Sequence, residues 1–141
     1  MTTTQSRPVA TTVSRSQRGL VVTGLSGALV AAVATAVVGA LAKAAGVDFE
    51  LPDGGEAVPV YGFAVVTFGF SVVGLLLAVG LRRWSRRPAS TFVRIAATLT
   101  AVSLVPPFFQ DANAGTCLSL VLLHLVAAAI VIPLIARRLP G

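Results

Sequence analysis

Four apolar runs, separated by short polar segments, constrain the fold of this chain more than any other feature. Residues 20–42, 60–81 and 116–136 contain no Asp, Glu, Lys or Arg. Each is long enough for the about 20 residues that a helix needs to cross a bilayer. The third run, residues 90–107, is shorter and carries Arg94 and several hydroxyls. We therefore predict an all-α membrane protein, a four-transmembrane-helix bundle.

The composition agrees with lipid as the solvent. Of the 141 residues, 55% are hydrophobic and 11% are charged, whereas soluble domains carry about 25% charged residues. The net charge of +6 would favour a nucleic-acid partner in a soluble protein. Here the basic residues lie at the ends of the apolar runs, so they predict topology. The expected partner is the lipid bilayer and not nucleic acid.

A basic break between the second and third runs sets the expected orientation. Residues 82–88 read Arg-Arg-Trp-Ser-Arg-Arg-Pro, and a further Arg pair follows the fourth run. Because short basic segments stay in the cytoplasm, we predict a multi-pass protein of the cell membrane with both termini cytoplasmic. Every basic residue except Lys43 then faces inward, and all five acidic residues face outward. The topology-setting residues are Arg82, Arg83, Arg86, Arg87, Arg137 and Arg138.

The segment before the first run, residues 1–19, is rich in Thr, Ser and Arg and has no hydrophobic period. It cannot bury enough apolar surface to fold alone. We predict a disordered cytoplasmic tail, followed by a membrane domain over residues 20–141. A cleaved signal peptide ending near Ala42-Lys43-Ala44 is the alternative, although signal h-regions of about 7–15 residues are shorter than this first run.

The polar segment at residues 46–59 predicts a small extracytoplasmic β-hairpin. Residues 47–51 alternate between apolar and polar, as strands do, and Pro-Asp-Gly-Gly at 52–55 is a strong turn signal. Calcium loops supply 6 to 8 oxygens in a defined pattern, which is missing here, so we expect a solvated acidic loop. Its acidic residues are Asp48, Glu50, Asp53 and Glu56.

Within the first apolar run, small residues recur every four positions and form two stripes along the predicted helix. Small residues at this spacing let a second helix approach closely. We therefore expect this helix to pack against neighbours, with a homo-oligomer or another membrane protein as a possible partner through the small-residue faces. One stripe is Gly24, Ala28, Ala32, Ala36 and Ala40, and the other is Gly27, Ala31, Thr35 and Gly39.

His124 is the one ionisable side chain placed deep within an apolar run, which makes it a functional hypothesis by default. In a single bundle it shares a candidate mid-membrane polar layer with Thr35, Ser71, Thr98 and Thr100. A small transporter or ligand-binding protein would use such a layer. The alternative is a neutral imidazole that is hydrogen-bonded to a hydroxyl or carbonyl on a facing helix.

Catalytic and cofactor motifs are missing from the sequence. It contains no P-loop, dinucleotide fingerprint or zincin motif, and a single cysteine, Cys117, cannot form an intramolecular disulfide. An enzyme using Asp111 and Cys117 at the outer face is the weakest alternative. We expect no cofactor, no metal and a non-enzymatic accessory or interaction subunit of the cell envelope.

Short motifs along the chain carry a resemblance. They are Ala-Gly-Val-Asp-Phe at 45–49, Leu-Arg-Arg at 81–83, Leu-Val-Pro at 104–106 and Leu-Leu-His-Leu at 122–125. Through them the chain resembles an uncharacterised family of small four-span membrane proteins of high-GC Gram-positive bacteria, a domain of unknown function. The resemblance implies the same four-span architecture and brings no activity and no catalytic residue.

Overall fold

The computed structural model describes residues 10–49, 57–105 and 114–141. Over these ranges the chain is all-helical without a strand, which confirms the predicted all-α class. The helices are α1 (Ala10–Ala44), α2 (Val60–Trp84), α3 (Pro88–Ser103) and α4 (Ala114–Ala136).

Three helical segments are long and apolar enough to cross a membrane. They are Ser16–Ala44 of α1, the whole of α2 and the whole of α4. Helix α3 has 16 residues, which at 1.5 Å per residue span about 24 Å, less than the about 30 Å of a hydrocarbon core. The third predicted span, residues 90–107, is therefore only partly matched, and its last two residues lie outside the described ranges.

Helix α1 begins at Ala10, so residues 10–19 are helical. The helix therefore starts ten residues before the first predicted span; residues 1–9 lie outside the described ranges, and the division into a tail and a membrane domain stays a prediction. The extension has a partner, because the guanidinium of Arg82 donates to the Ser16 carbonyl at 2.9 Å and to the Ser16 hydroxyl at 2.6 Å. These two bonds join the start of α1 to the end of α2.

Helix α1 packs against α2 and α4, and α3 packs against the same two helices. The pairing of α1 with α2 is antiparallel, since Ser16 near the start of α1 meets Arg82 at the end of α2. At the other end, a Cβ added to Gly39 would meet the ring of Phe63. Chain order therefore places neighbouring helices side by side, with α1 closing the set against α4.

The small-residue stripes of α1 form its contact with α2 and α4. A Cβ on Gly24 would meet Leu75 of α2, and one on Gly27 would lie 3.1 Å from Leu134 of α4. Along both stripes only Ala36, which is half-buried, and Ala40, which is exposed, are not buried. The stripes therefore pack within this chain, and we call this buried face of α1 the seam.

Large apolar side chains face outward from the helices. On α1 alone, Leu29, Val33 and Leu41 are 58%, 63% and 65% exposed. On this part of α1 the seam buries glycine, alanine and threonine while leucine and valine are exposed, whereas the core beyond the seam includes Leu75, Phe92 and Ile135. The aromatic residues Tyr61 and Trp84 mark opposite ends of α2, about 35 Å apart at the α-helical rise, as expected of membrane-interface residues.

The described part of the loop at 46–59 corrects the predicted β-hairpin. The Gly46 amide donates to the Lys43 carbonyl at 3.0 Å and the Val47 amide to the Ala42 carbonyl at 3.0 Å, with Gly46 at φ +93°. This is the Schellman arrangement that ends a helix at a glycine. The chain therefore leaves α1 through a tight cap and not along a strand.

Phe49 then turns the loop inward. Its φ is +55°, it is 1% exposed, and its ring centroid lies 4.9 Å from that of Phe63 on α2. Burial of this aromatic ring stabilises a backbone conformation that is rare for a non-glycine residue. A hydrogen bond from the Val58 amide to the Phe49 carbonyl joins the two described ends of the loop. Glu50, Asp53 and Glu56 lie outside the described residues.

Gly39→Ala is expected to destabilise the seam. The added Cβ would lie 2.8 Å from Phe63 Cδ2, and the Phe63 ring is already packed on Phe49. Overpacking costs about 1–3 kcal/mol, which exceeds the about 1 kcal/mol that alanine gains over glycine in a helix. Gly69→Ala is the control, because nothing lies within 4 Å of its Cβ position. Thermal unfolding in detergent should show a lower midpoint for Gly39→Ala only; equal midpoints would contradict the seam.

Candidate functional site

Thr35 and Thr67 form a hydroxyl pair across the seam between α1 and α2. Thr35 is fully buried, and its Oγ1 lies 3.1 Å from Thr67 Oγ1. The same oxygen is 3.0 Å from the carbonyl oxygens of Ala31 and Ala32 in its own helix. A hydroxyl has one proton, so these contacts share it, and the buried oxygen keeps a partner whichever way it turns.

Ser71 extends this pair by one helical turn. It is buried, and its hydroxyl donates to the Thr67 carbonyl at 2.6 Å. The structure thus brings together Thr35 and Ser71, two members of the predicted polar layer, through Thr67. Thr67 is missing from the predicted layer, although its spacing of four from Ser71 on the small face of α2 is a signal that could have included it.

The hydroxyls of α3 belong to a different place. Thr98 is exposed, and Thr100 donates to the carbonyl of Ala96 in its own helix at 2.9 Å. Within the described ranges neither is bonded to Thr35, Ser71 or His124. The predicted layer is therefore divided: Thr35 and Ser71 lie in the seam, whereas Thr98 and Thr100 lie on α3.

His124 lies half-buried on α4. Its Nδ1 is 2.8 Å from the Leu120 carbonyl, one turn earlier in the same helix. A carbonyl oxygen accepts, so Nδ1 carries the proton and the other ring nitrogen, Nε2, is the unprotonated one in the neutral ring. The predicted imidazole–carbonyl bond is present, but within α4 and not to a facing helix. A transport role for His124 stays a prediction.

The basic residues of three segments meet at one end of the helices, which we call the arginine end. Arg82 bonds to Ser16 at the start of α1. The Ala89 amide at the start of α3 donates to the Pro140 carbonyl at 3.2 Å, so the segment after α4 reaches the α2–α3 turn. The topology-setting residues all lie here: Arg82, Arg83, Arg86, Arg87, Arg137 and Arg138.

Asp48, the one acidic residue within the described ranges, lies at the opposite end of the helices. The hydroxyl of Thr116, buried in the first turn of α4, donates to Asp48 Oδ1 at 3.3 Å. Asp48 thereby connects the segment after α1 to the start of α4, in addition to its predicted place in a solvated acidic loop. A carboxylate near a helix N-terminus also interacts favourably with the helix dipole. Cys117 is half-buried beside Thr116, and Asp111 lies outside the described residues.

An apolar groove of about 520 Å³ runs between α3 and α4 and is open along one side. Its single polar lining residue, Thr100, has its hydroxyl bonded to the Ala96 carbonyl, so the walls present carbon. The lining residues are Ala97, Thr100, Ala101, Leu104, Leu125, Ala128, Ala129, Ile132 and Pro133. Among the residues that the structure describes, no three His, Cys, Asp or Glu side chains are grouped so that they could hold a metal.

Thr35→Val is expected to weaken the seam. The valine keeps the shape and removes the contact with Thr67 Oγ1, and hydrogen bonds between membrane helices contribute about 0.6 kcal/mol, up to about 1.7. The free energy of unfolding in mixed micelles should fall by that amount. Thr98→Val, on the exposed side of α3, is the control.

A double-mutant cycle with Thr67→Val then isolates the pair. The combined loss should be smaller than the sum of the single losses, because either substitution removes the same contact. Strictly additive losses would mean that the two hydroxyls do not interact.

Comparison with known proteins gives one informative match. The comparison with curated proteins and the comparison with solved structures each find no match. A family model described as a family of unknown function, DUF6069, matches residues 15–141. The match begins just before the Ser16 contact with Arg82 and includes all of the described α2, α3 and α4. The chain therefore belongs to this family of unknown function.

Proposed function

We propose that this chain is an integral protein of the cell membrane that crosses the bilayer four times and serves as a non-enzymatic accessory or interaction subunit of the cell envelope. Three membrane-like helices and an outward apolar surface support the membrane placement. The single observation that carries the proposal is that helices of membrane-spanning length expose large apolar side chains, as on α1, where leucine and valine are exposed opposite a seam of glycine, alanine and threonine.

Chain topology supports a fourth crossing. Helix α2 finishes at the arginine end, where Arg82 meets Ser16. Helix α4 starts at the opposite end, where Thr116 meets Asp48. The segment from 85 to 113 must therefore travel the full distance between the two ends, and α3 makes most of that passage. A short helix in this position fits a locally thinned bilayer or shielding by its neighbours.

The separation of charge supports cytoplasmic termini. Arginines from the end of α2, the α2–α3 turn and the segment after α4 share one end, while Asp48 lies at the other. Short basic segments favour the cytoplasmic side. The arginine end then faces the cytoplasm, and the Asp48–Thr116 contact faces outward.

An accessory role is supported by how the polar groups inside the seam are used. Thr35, Thr67 and Ser71 bond to one another and to backbone carbonyls, so they hold helices together. The small-residue stripes of α1 are occupied by α2 and α4. A protein partner, whether a second copy or another membrane protein, would therefore contact the outer faces of the helices.

Membrane insertion and topology are tested on the full chain with its one cysteine moved. In a Cys117→Ala background, Ser90→Cys at the arginine end should react with an impermeant maleimide only after the cells are opened. Ala57→Cys in the outer loop should react in intact cells. The chain should stay in the membrane pellet after alkaline carbonate extraction. Recovery in the soluble fraction, or labelling of Ser90→Cys from outside, would reject the proposal.

The accessory role is tested by crosslinking in native membranes. Two differently tagged copies are expressed together, crosslinked and purified through one tag. We expect either the second tag or a recurrent membrane protein at levels above those recovered with an unrelated four-span protein. A chain that recovers neither would contradict an interaction role while leaving the membrane placement intact.

A further inference from the structure

The groove between α3 and α4 continues toward two arginines. Ala97 of α3 lies at one end of the groove wall, and Arg94 stands three residues, about one turn, before it. On α4, Arg137 stands four residues beyond the groove residue Pro133, and its amide still donates to the Pro133 carbonyl at 3.1 Å. The helical turn thus continues through Arg137, so both walls of the groove lead to a guanidinium.

The two arginines lie at similar depth. The bond from the Ala89 amide to the Pro140 carbonyl sets the antiparallel register of the two segments. In that register Arg94 is opposite residue 135, two residues from Arg137. Both side chains are exposed, and neither α3 nor α4 contains an acidic residue that could neutralise them. Two cations therefore stand at the same end of an apolar channel.

This combination has the chemistry of an anionic lipid. The walls offer carbon to a hydrocarbon chain, and their one hydroxyl is already bonded within α3. The arginines offer charged donors to a phosphate, which guanidinium groups bind in a bidentate manner. Basic residues at a membrane surface attract anionic lipids by about 1 kcal/mol each. Charge and apolar shape therefore complement the two parts of one amphiphile.

A second copy of the chain fits the groove less well. Copies in one membrane share their orientation, so a neighbour lying in the groove would bring its own arginine end beside Arg94 and Arg137. The arginines of the two copies would then repel one another, because like charges that lie close together repel. An anionic headgroup relieves the same charge, which decides the occupant in favour of lipid.

We propose that the α3–α4 groove binds an acyl chain of an anionic phospholipid whose phosphate is held by Arg94 and Arg137. The site rests on the membrane placement proposed above and adds a ligand to it. The bound acyl chain would also lie beside α3, whose 16 residues are too few to cross the whole hydrocarbon core.

The test uses the full chain purified in detergent, with phosphatidylglycerol or phosphatidylcholine of identical acyl chains as the added probe. Native mass spectrometry should show preferential retention of phosphatidylglycerol. Arg94→Gln and Arg137→Gln should each lower that retention about fivefold, and the double variant about 25-fold. The charge-matched control is Arg83→Gln with Arg86→Gln, two exposed arginines at the same end outside the groove. It should change retention less than twofold.

A second pair of variants fills the groove itself. Ala129→Leu and Ala101→Leu place bulk on exposed lining positions, so the buried core is untouched. Both should reduce retention of either lipid, whereas Ala40→Leu, exposed on α1, should not. Unfolding midpoints equal to the unmodified chain confirm folding.

Three results would overturn the site. They are equal retention of the two lipids, equal loss in the arginine controls, and a homodimer that the groove-filling variants abolish. Each is distinguishable from failure of the membrane placement, because carbonate extraction reports that placement independently of lipid retention.

Discussion

Close approach of α1 to α2 and α4 is the contact on which the rest of the structure depends. Lipid tails are as apolar as leucine, so burying large side chains gains little there, and helices associate through packing and interhelical hydrogen bonds. Gly24, Gly27 and Gly39 leave room for Leu75, Leu134 and Phe63. The hydrogen bond between Thr35 and Thr67 adds a directional interaction between α1 and α2 to this packing. Leucine and valine side chains on the opposite face of α1 then stay exposed.

The two ends of the molecule follow from the seam. Because α1 runs antiparallel to α2 and α4, Arg82 meets Ser16 at one end, and Asp48 meets Thr116 at the other. Each contact joins residues that are far apart in the chain, by 66 and 68 positions. Charge separation along the helix axes is therefore built into the packing, and the same arrangement gives the α3–α4 groove a basic mouth. Orientation and lipid recognition would then have Arg137 in common.

Sequence periodicity predicted the helices well and the connections poorly. Apolar runs without charge are sufficient to locate α1, α2 and α4, because a bilayer requires that length and composition. The β-hairpin predicted after α1 was wrong, because the apolar–polar alternation of residues 47–51 resembles that of a strand. The glycine cap at Gly46 and the buried ring of Phe49 decide its course instead. A short alternating segment carries no information about which aromatic ring a distant helix will cover.

The sequence by itself determined the all-α class, the three helices that are long and apolar enough to cross a membrane, and the grouping of arginines near helix ends, because hydrophobicity and charge are local properties. Only the tertiary structure decided which polar residues meet. It joined Thr35 and Ser71 through Thr67, kept Thr98 and Thr100 apart on α3, and gave His124 a partner within its own helix. The physical reason is that spacing along a helix gives the face of a residue, whereas the register between two helices depends on how their small residues interlock.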